Sequence, residues 1–117
     1  MRRRDKIALQ KILNVIDETN EFLENVSEEE FLKNNLLKSA TAMSVIRIGE
    51  LVKSLSDEFR KQNSQVEWRD IAGFRDIAAH KYETINMEQL YGTAKKDFPK
   101  LKMQIEKIME EQKCTNM

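Results

Sequence analysis

One proline and three glycines in 117 residues leave little to interrupt a helix. With so much Lys, Glu, Leu and Met, the composition favours helix throughout. Cysteine occurs once, as Cys114, so no disulfide can form within the chain, which suits a reducing cytosol. A lone cysteine so near the end reads as incidental rather than catalytic. Net charge is also missing, because 20 Lys and Arg face 20 Asp and Glu. A neutral chain does not advertise broad nucleic-acid binding, so any such contact has to come from a local patch or from two copies combining theirs. There is no apolar run long enough to span a bilayer. Arg2, Arg3 and Arg4 imitate the start of a signal peptide, but the following "DKIALQKILNVIDETN" is amphipathic and broken by charges. A soluble, cytoplasmic protein is therefore expected, with no membrane partner. The length predicts one domain over residues 1–117, enough for one core but not two.

What is present is helical periodicity. Ile12, Val15, Ile16, Thr19, Phe22, Leu23 and Val26 recur at three- and four-residue spacing, which predicts a helix over 3–25 with one buried stripe. Ser27 and Glu30 form an S-x-x-E capping box ahead of a short helix carrying Phe31 and Leu32, and Asn34 and Asn35 punctuate it. A long helix is expected over 36–61, its stripe traced by Leu37, Ala40, Ser44, Ile48, Leu51, Val52, Leu55 and Phe59. Within it Arg47 and Glu50 are spaced to pair. Gly49 between them weakens the helix, which a close neighbour would explain. "QNSQV" is a turn, and from Glu67 the pattern is helical again through Trp68, Ile71, Ala72, Phe74, Ile77 and Ala78. "YETI", residues 82–85, favours extended structure because Tyr, Thr and Ile lose side-chain freedom in a helix. Asn86 and Gln89 cap a last helix reaching Lys113, with a kink or restart near Pro99. Four principal helices with short loops predict an all-α, antiparallel, up-and-down bundle of four to five helices.

The chemistry concentrates in "GFRDIAAHKY", residues 73–82, which holds the only histidine. Singly, each polar residue has a bland reading. His80 near a helix end is a partly exposed polar residue, Arg75 is solvated or paired with Asp70 or Asp76, and Tyr82 packs its ring and wets its hydroxyl. Together, interleaved with the small Ala78 and Ala79, they suggest a site. Five residues of ideal helix place Arg75 and His80 about 140° apart, so both cannot point into one small pocket. Either the helix loosens near His80 or a second molecule completes the site.

Metal-free RNA cleavage needs a base for the 2′-OH proton, an acid for the leaving oxygen and a cation for the phosphate. Histidine suits the proton transfers and arginine suits the phosphate. One chain supplies one histidine, whereas a two-fold dimer supplies two histidines and two arginines facing one another across its axis. A metal site fits poorly, since one His and one distant Cys offer neither H-E-x-x-H nor C-x-x-C. There is no glycine-rich phosphate loop and no nucleophile elbow. No metal or other cofactor is expected.

Arg75-x4-His80-x-Tyr82 resembles the Arg-x4-His-x-Tyr signature of HepT-like toxins within the HEPN ribonucleases. "VSEEEFLKN" is similar to that family's second-helix opening and "IGELVKSLSDEF" to its Ile-Gly-Glu helix. "VEWRDIAGFRDIAAHKY" resembles its approach to the active site, and "DFPKLKMQIEKI" its Asp-(Leu/Phe)-Pro tail. The likeness covers nearly the whole chain. It departs where many members carry Arg-Asn, here Met43 and Ser44. The resemblance implies a HEPN-like bundle and a homodimeric, metal-independent endoribonuclease toxin with Arg75 and His80 as catalytic residues. It also implies a cognate minimal nucleotidyltransferase antitoxin that silences the toxin by AMPylation of Tyr82. Each added AMP would put negative phosphate and a bulky nucleoside beside Arg75. A second function stays open, a non-catalytic helical subunit that helps a nucleotidyltransferase partner bind its substrate. The full Arg, His and Tyr triplet favours the enzyme.

Overall fold

The computed structural model describes residues 1–115, with side chains described through Gln112; Cys114 lies outside the described side chains. Its helices are α1 (Arg3–Phe22), α2 (Glu28–Leu32), α3 (Asn35–Ser54), α4 (Asp57–Gln62), α5 (Trp68–His80), α6 (Met87–Gly92) and α7 (Phe98–Thr115). A 3₁₀ turn, Tyr82–Thr84, follows α5, and a π-helical segment, Thr93–Asp97, joins α6 to α7. Cross-helix contacts fix their directions. Asp5 meets Ser56, and Glu18 meets Arg47, so α1 and α3 run antiparallel. Lys53 meets Asp76 while Ser39 meets Tyr82, which makes α3 and α5 antiparallel. Asp17 meets Lys102 and Leu23 meets Lys95, which does the same for α1 and the final arm.

The helices therefore stand in the order α7, α1, α3, α5, and the α3–α5 pairing is the most extensive. The molecule is only 20 Å across its thinnest direction, about two helix diameters, so its two outer helices are not wrapped. A cleft of about 960 Å³ opens between α5 and the α6–α7 arm, with Ile71, Phe74 and Ile77 on one wall and Phe98 and Leu101 on the other. The centre of the core is Leu9, Ile12, Val15 and Ile16 from α1, Val45, Ile48 and Val52 from α3, and Leu101, Ile105 and Ile108 from α7. Phe31 is fully buried, its ring 5.2 Å from that of Tyr91.

Local chemistry explains the element ends. The Ser27–Glu30 capping box forms as its spacing predicts. Asn34 and Asn86 cap α3 and α6 through the backbone N–H groups of Leu37 and Gln89. The first helix stops at Phe22 rather than near residue 25, because Asn25 takes a left-handed conformation with φ 61°, which asparagine tolerates better than most residues.

The helix expected over 36–61 is two helices, α3 and α4, broken at an extended Leu55. The cause lies 51 residues away: Asp5, 1 % exposed, accepts hydrogen bonds from the Ser56 backbone N–H at 2.8 Å and hydroxyl at 2.7 Å. Ser56 in turn caps α4 by accepting from Phe59 N–H. Residues 82–84, expected to be extended, close a 3₁₀ turn as Thr84 donates to the Lys81 carbonyl through both its amide and its hydroxyl; Ile85 then resumes extended backbone. The last helix restarts near Pro99 as expected, at Phe98 after the π segment. Proline lacks the N–H that would meet Lys95 O and crowds that carbonyl, and the π segment spans those residues.

Gly49 is buried on α3 and faces α5. A β-carbon there would land on Cβ and Cγ of Arg75. Those atoms sit close to the α5 backbone and cannot swing away as a side-chain tip would. Gly→Ala inside a helix ordinarily stabilises by ~1 kcal/mol; here Gly49→Ala should instead destabilise by ~1–3 kcal/mol through overpacking. Urea unfolding at neutral pH checks the sign, and a gain in stability would contradict the packing described.

Candidate active site

Arg75 lies on the face of α5 turned toward α3, with its side chain 19 % exposed. Its guanidinium pairs with Glu50 of α3 and, at 3.0 Å, with Asp76. Asp76 also accepts a hydrogen bond from Lys53 Nζ at 2.6 Å. That bond comes first and Arg75 second in holding the Asp76 carboxyl below the ordinary carboxylate range. Arg75 Nε is buried without a hydrogen-bond partner. A planar fork with two arms on carboxylates is held in one orientation.

The Arg47–Glu50 pair that the spacing offers does not form. Arg47 faces α1 and pairs with Glu18 at 3.1 Å, while Glu50 faces α5 and takes Arg75. Glu50 is the site neighbour that sequence reasoning missed. The signal was present in Gly49, because a glycine that admits α5 also brings the adjacent carboxylate to the arginine.

His80 ends α5, exposed to solvent. Among the described residues no hydrogen bond or ion pair engages its imidazole, and none joins it to Arg75. The helix is regular up to His80 and caps at Lys81, so it does not loosen to bring the two together. Tyr82 is half-buried against the core, its hydroxyl 3.3 Å from Ser39 Oγ of α3. Arg75 and Tyr82 therefore both lie against α3, whereas His80 points away.

At the departure from the expected Arg-Asn pair, Ser44 is a structural residue. It is buried and accepts from Thr19 Oγ1 at 2.8 Å, while Met43 beside it is 52 % exposed. Among the described residues, no three His, Cys, Asp or Glu side chains gather so as to hold a metal ion, and no helix is long and apolar enough to cross a membrane.

Comparison with known proteins bears on this arrangement. Residues 12–108 match the family described as Ribonuclease HepT-like. The chain belongs to that family. It is 37 % identical over 111 residues to a Methanocaldococcus jannaschii protein named gamma-glutamylcyclotransferase and, provisionally, RNase, covering 95 % of this chain and 50 % of that one. This chain thus spans about half the length of that relative. It is 36 % identical over 105 residues to a provisionally named RNase of Caldanaerobacter subterraneus subsp. tengcongensis, covering 90 % and 94 % of the two chains. It is 31 % identical over 108 residues to a Thermococcus cleftensis protein provisionally named ribonuclease HepT, covering 92 % and 98 %. No solved structure matches the chain. At the level of the family the protein is a ribonuclease, an RNA endonuclease of all-α, HEPN-like architecture.

The Asp76 clasp has a pH signature. Its folded-state pKa is lowered, so its contribution to stability is present above the ordinary aspartate pKa of about 3.9 and is lost as pH falls through the depressed folded value. Asp76→Asn should be less stable than wild type at pH 7, with the gap closing in acid below about pH 3.9. Thermal melts of both proteins across pH 2.5–7 check this against about that reference; a gap that stays constant would mean that Asp76 contributes no charge interaction.

Proposed function

We propose that two copies of this chain form a two-fold dimer that cleaves RNA without a metal, with Arg75 and His80 of each copy lining one cleft. The observation that carries this reading is the separation of the two groups on an unbroken helix. Arg75 is anchored toward α3, and His80 stands exposed at the end of α5 with no internal partner. A single chain cannot converge them, whereas a two-fold axis near the end of α5 supplies two histidines to one phosphate. Ile77, one turn before His80, is 45 % exposed, and half-buried Ile71 and Phe74 share the cleft wall with it. These are apolar groups that a second copy would cover.

In the proposed reaction one His80 takes the 2′-OH proton as the 2′-oxygen attacks phosphorus. The bond from phosphorus to the 5′-oxygen breaks, and the other His80 protonates that oxygen, leaving a 2′,3′-cyclic phosphate and a 5′-hydroxyl. Arg75 stabilises the charge that builds on the phosphate. Glu50 and Asp76 are 52 % and 51 % exposed, so a phosphate can exchange with them. His80→Ala should lower cleavage by ~10²–10⁴-fold, the usual contribution of a general acid or base. Arg75→Lys should also be severely impaired, because a point charge does not replace a fork. The measurement is cleavage of RNA by purified protein in EDTA, with sedimentation to establish the dimer. Full activity in the histidine variant, or a monomer at micromolar concentration, overturns the reading.

The toxin role and its silencing belong to the same proposal. A cognate minimal nucleotidyltransferase is proposed to transfer AMP from ATP to the Tyr82 hydroxyl, releasing pyrophosphate and placing negative charge at the exit of α5, two residues beyond His80. The hydroxyl is in reach, because its one hydrogen-bond partner among the described residues is the surface Ser39. Tyr82→Phe removes one oxygen and should leave packing intact, so the variant should escape silencing when the partner is co-expressed. Intact-mass spectrometry reads the outcome. An equal AMP gain in the Phe variant, or none in wild type, rejects the assignment.

A further inference from the structure

A second polar site lies at the other end of the Arg75 network. Between the first turn of α1 and the α3–α4 corner is a pocket of about 410 Å³, lined by Arg2, Arg4, Lys53 and Arg60 and by Asp57 and Glu58. Four cations line it with two exposed carboxylates, while buried Asp5 lies behind Ser56 and Asp76 holds Lys53 from outside the pocket. The pocket is built rather than accidental. Buried Asp5 pins the start of α1 to Ser56, and Arg4 Nη2 donates to the Ser54 carbonyl at 2.7 Å. Arg2 pairs with Glu58, and Arg60 with Asp57. Those two carboxylates are 61 % and 81 % exposed. Exposed pairs of this kind are weak and screened by salt, so an incoming phosphate can take their place. Arg4 has no carboxylate partner among the described residues, and its remaining donors are free for an anion.

Lys53 connects this pocket to the candidate active site. It lines the pocket and also bonds Asp76, which in turn holds Arg75. Charges of alternating sign therefore lead from Arg75 through Asp76 to Lys53, which shares the pocket with Arg4 and Arg60.

We propose that this pocket binds the backbone phosphates of an RNA strand next to the one being cut, with Arg4 and Arg60 as substrate-positioning residues and Lys53 as the link. The proposal rests on the ribonuclease reading for its substrate and adds the path that the strand takes. Backbone contacts of this kind set position and affinity without reading sequence. Each phosphate neutralised releases counterions, which gives binding a measurable salt dependence.

The test uses labelled single-stranded RNA and dimeric protein carrying His80→Ala, so that the RNA persists, with Arg4→Gln, Arg60→Gln or Arg3→Gln added. Arg3 is exposed and does not line the pocket, so it controls for net charge. Fluorescence anisotropy across a salt series should show the Arg4 and Arg60 variants binding severalfold more weakly. Each should lose about one unit of the slope of log affinity against log salt, while Arg3→Gln changes neither quantity. With His80 restored, KM for a long RNA should rise in the Arg4 and Arg60 variants while cleavage of a dinucleotide is unchanged. Circular dichroism melts identify any variant that fails to fold; Arg4→Lys, which keeps the charge, should restore the salt slope. Equal weakening by all three Gln variants, or none, overturns the proposal. Cleavage with unaltered pocket variants leaves the ribonuclease reading intact without this path. Pocket-dependent binding without cleavage does the reverse.

Discussion

The contact between Gly49 and Arg75 is the constraint on which the rest of the molecule depends. Without a side chain at residue 49, α5 can lie close enough to α3 for the stem of Arg75 to fill the space that a β-carbon would occupy. That proximity brings Glu50 and Asp76 to the guanidinium and Lys53 to Asp76. It also sets the exit of α5, so that Tyr82 returns to α3 and meets Ser39. One missing methyl group thus positions an arginine, a chain of charges and a tyrosine. The cost of glycine in a helix interior is offset by the approach that it permits.

Asp5 performs a comparable task at the other end. A nearly buried carboxylate needs hydrogen bonds to be tolerated, and it finds two on Ser56. In doing so it ends α3, starts α4 and holds the first turn of α1 against that corner. The remaining polar ties act as latches: Tyr91 donates to the Val26 carbonyl and Lys95 to the Leu23 carbonyl, each at 2.7 Å, fastening the last helical arm to the end of α1.

The all-α architecture and most of its buried stripe could be read from the sequence, because a 3.6-residue period is local information. So could the caps, since Ser27 with Glu30 and Asn86 with Gln89 act within four residues of each other. What was not legible depends on distant partners. Nothing near residues 55 and 56 announces the break made by Asp5, and nothing near Arg47 reveals that Glu18 will outcompete Glu50 for it. Arg75, His80 and Tyr82 stood out because polar groups with little reason to share an aliphatic helix are conspicuous. The angle of about 140° between the first two followed from helix geometry alone. Whether the helix would loosen to close that angle depended on packing, and α5 stays regular to His80.

The π-helical segment at 93–97 has a consequence for register. Leu90, Ala94 and Phe98 are all buried at intervals of four residues, and each such step would rotate a regular α-helix by about 40° away from a straight stripe. The wider turn absorbs that drift, so Leu90, Ala94 and Phe98 all stay on the inner face of the arm. Lys95 and Lys102 consequently both reach α1, one at the Leu23 carbonyl and one at Asp17. The segment holds a surplus residue in the coil of the backbone, much as a slack link lets two fixed lengths of chain meet. Removing one residue there would tighten the turn and swing everything beyond it by about 100°, turning Leu101, Ile105 and Ile108 out of the core together.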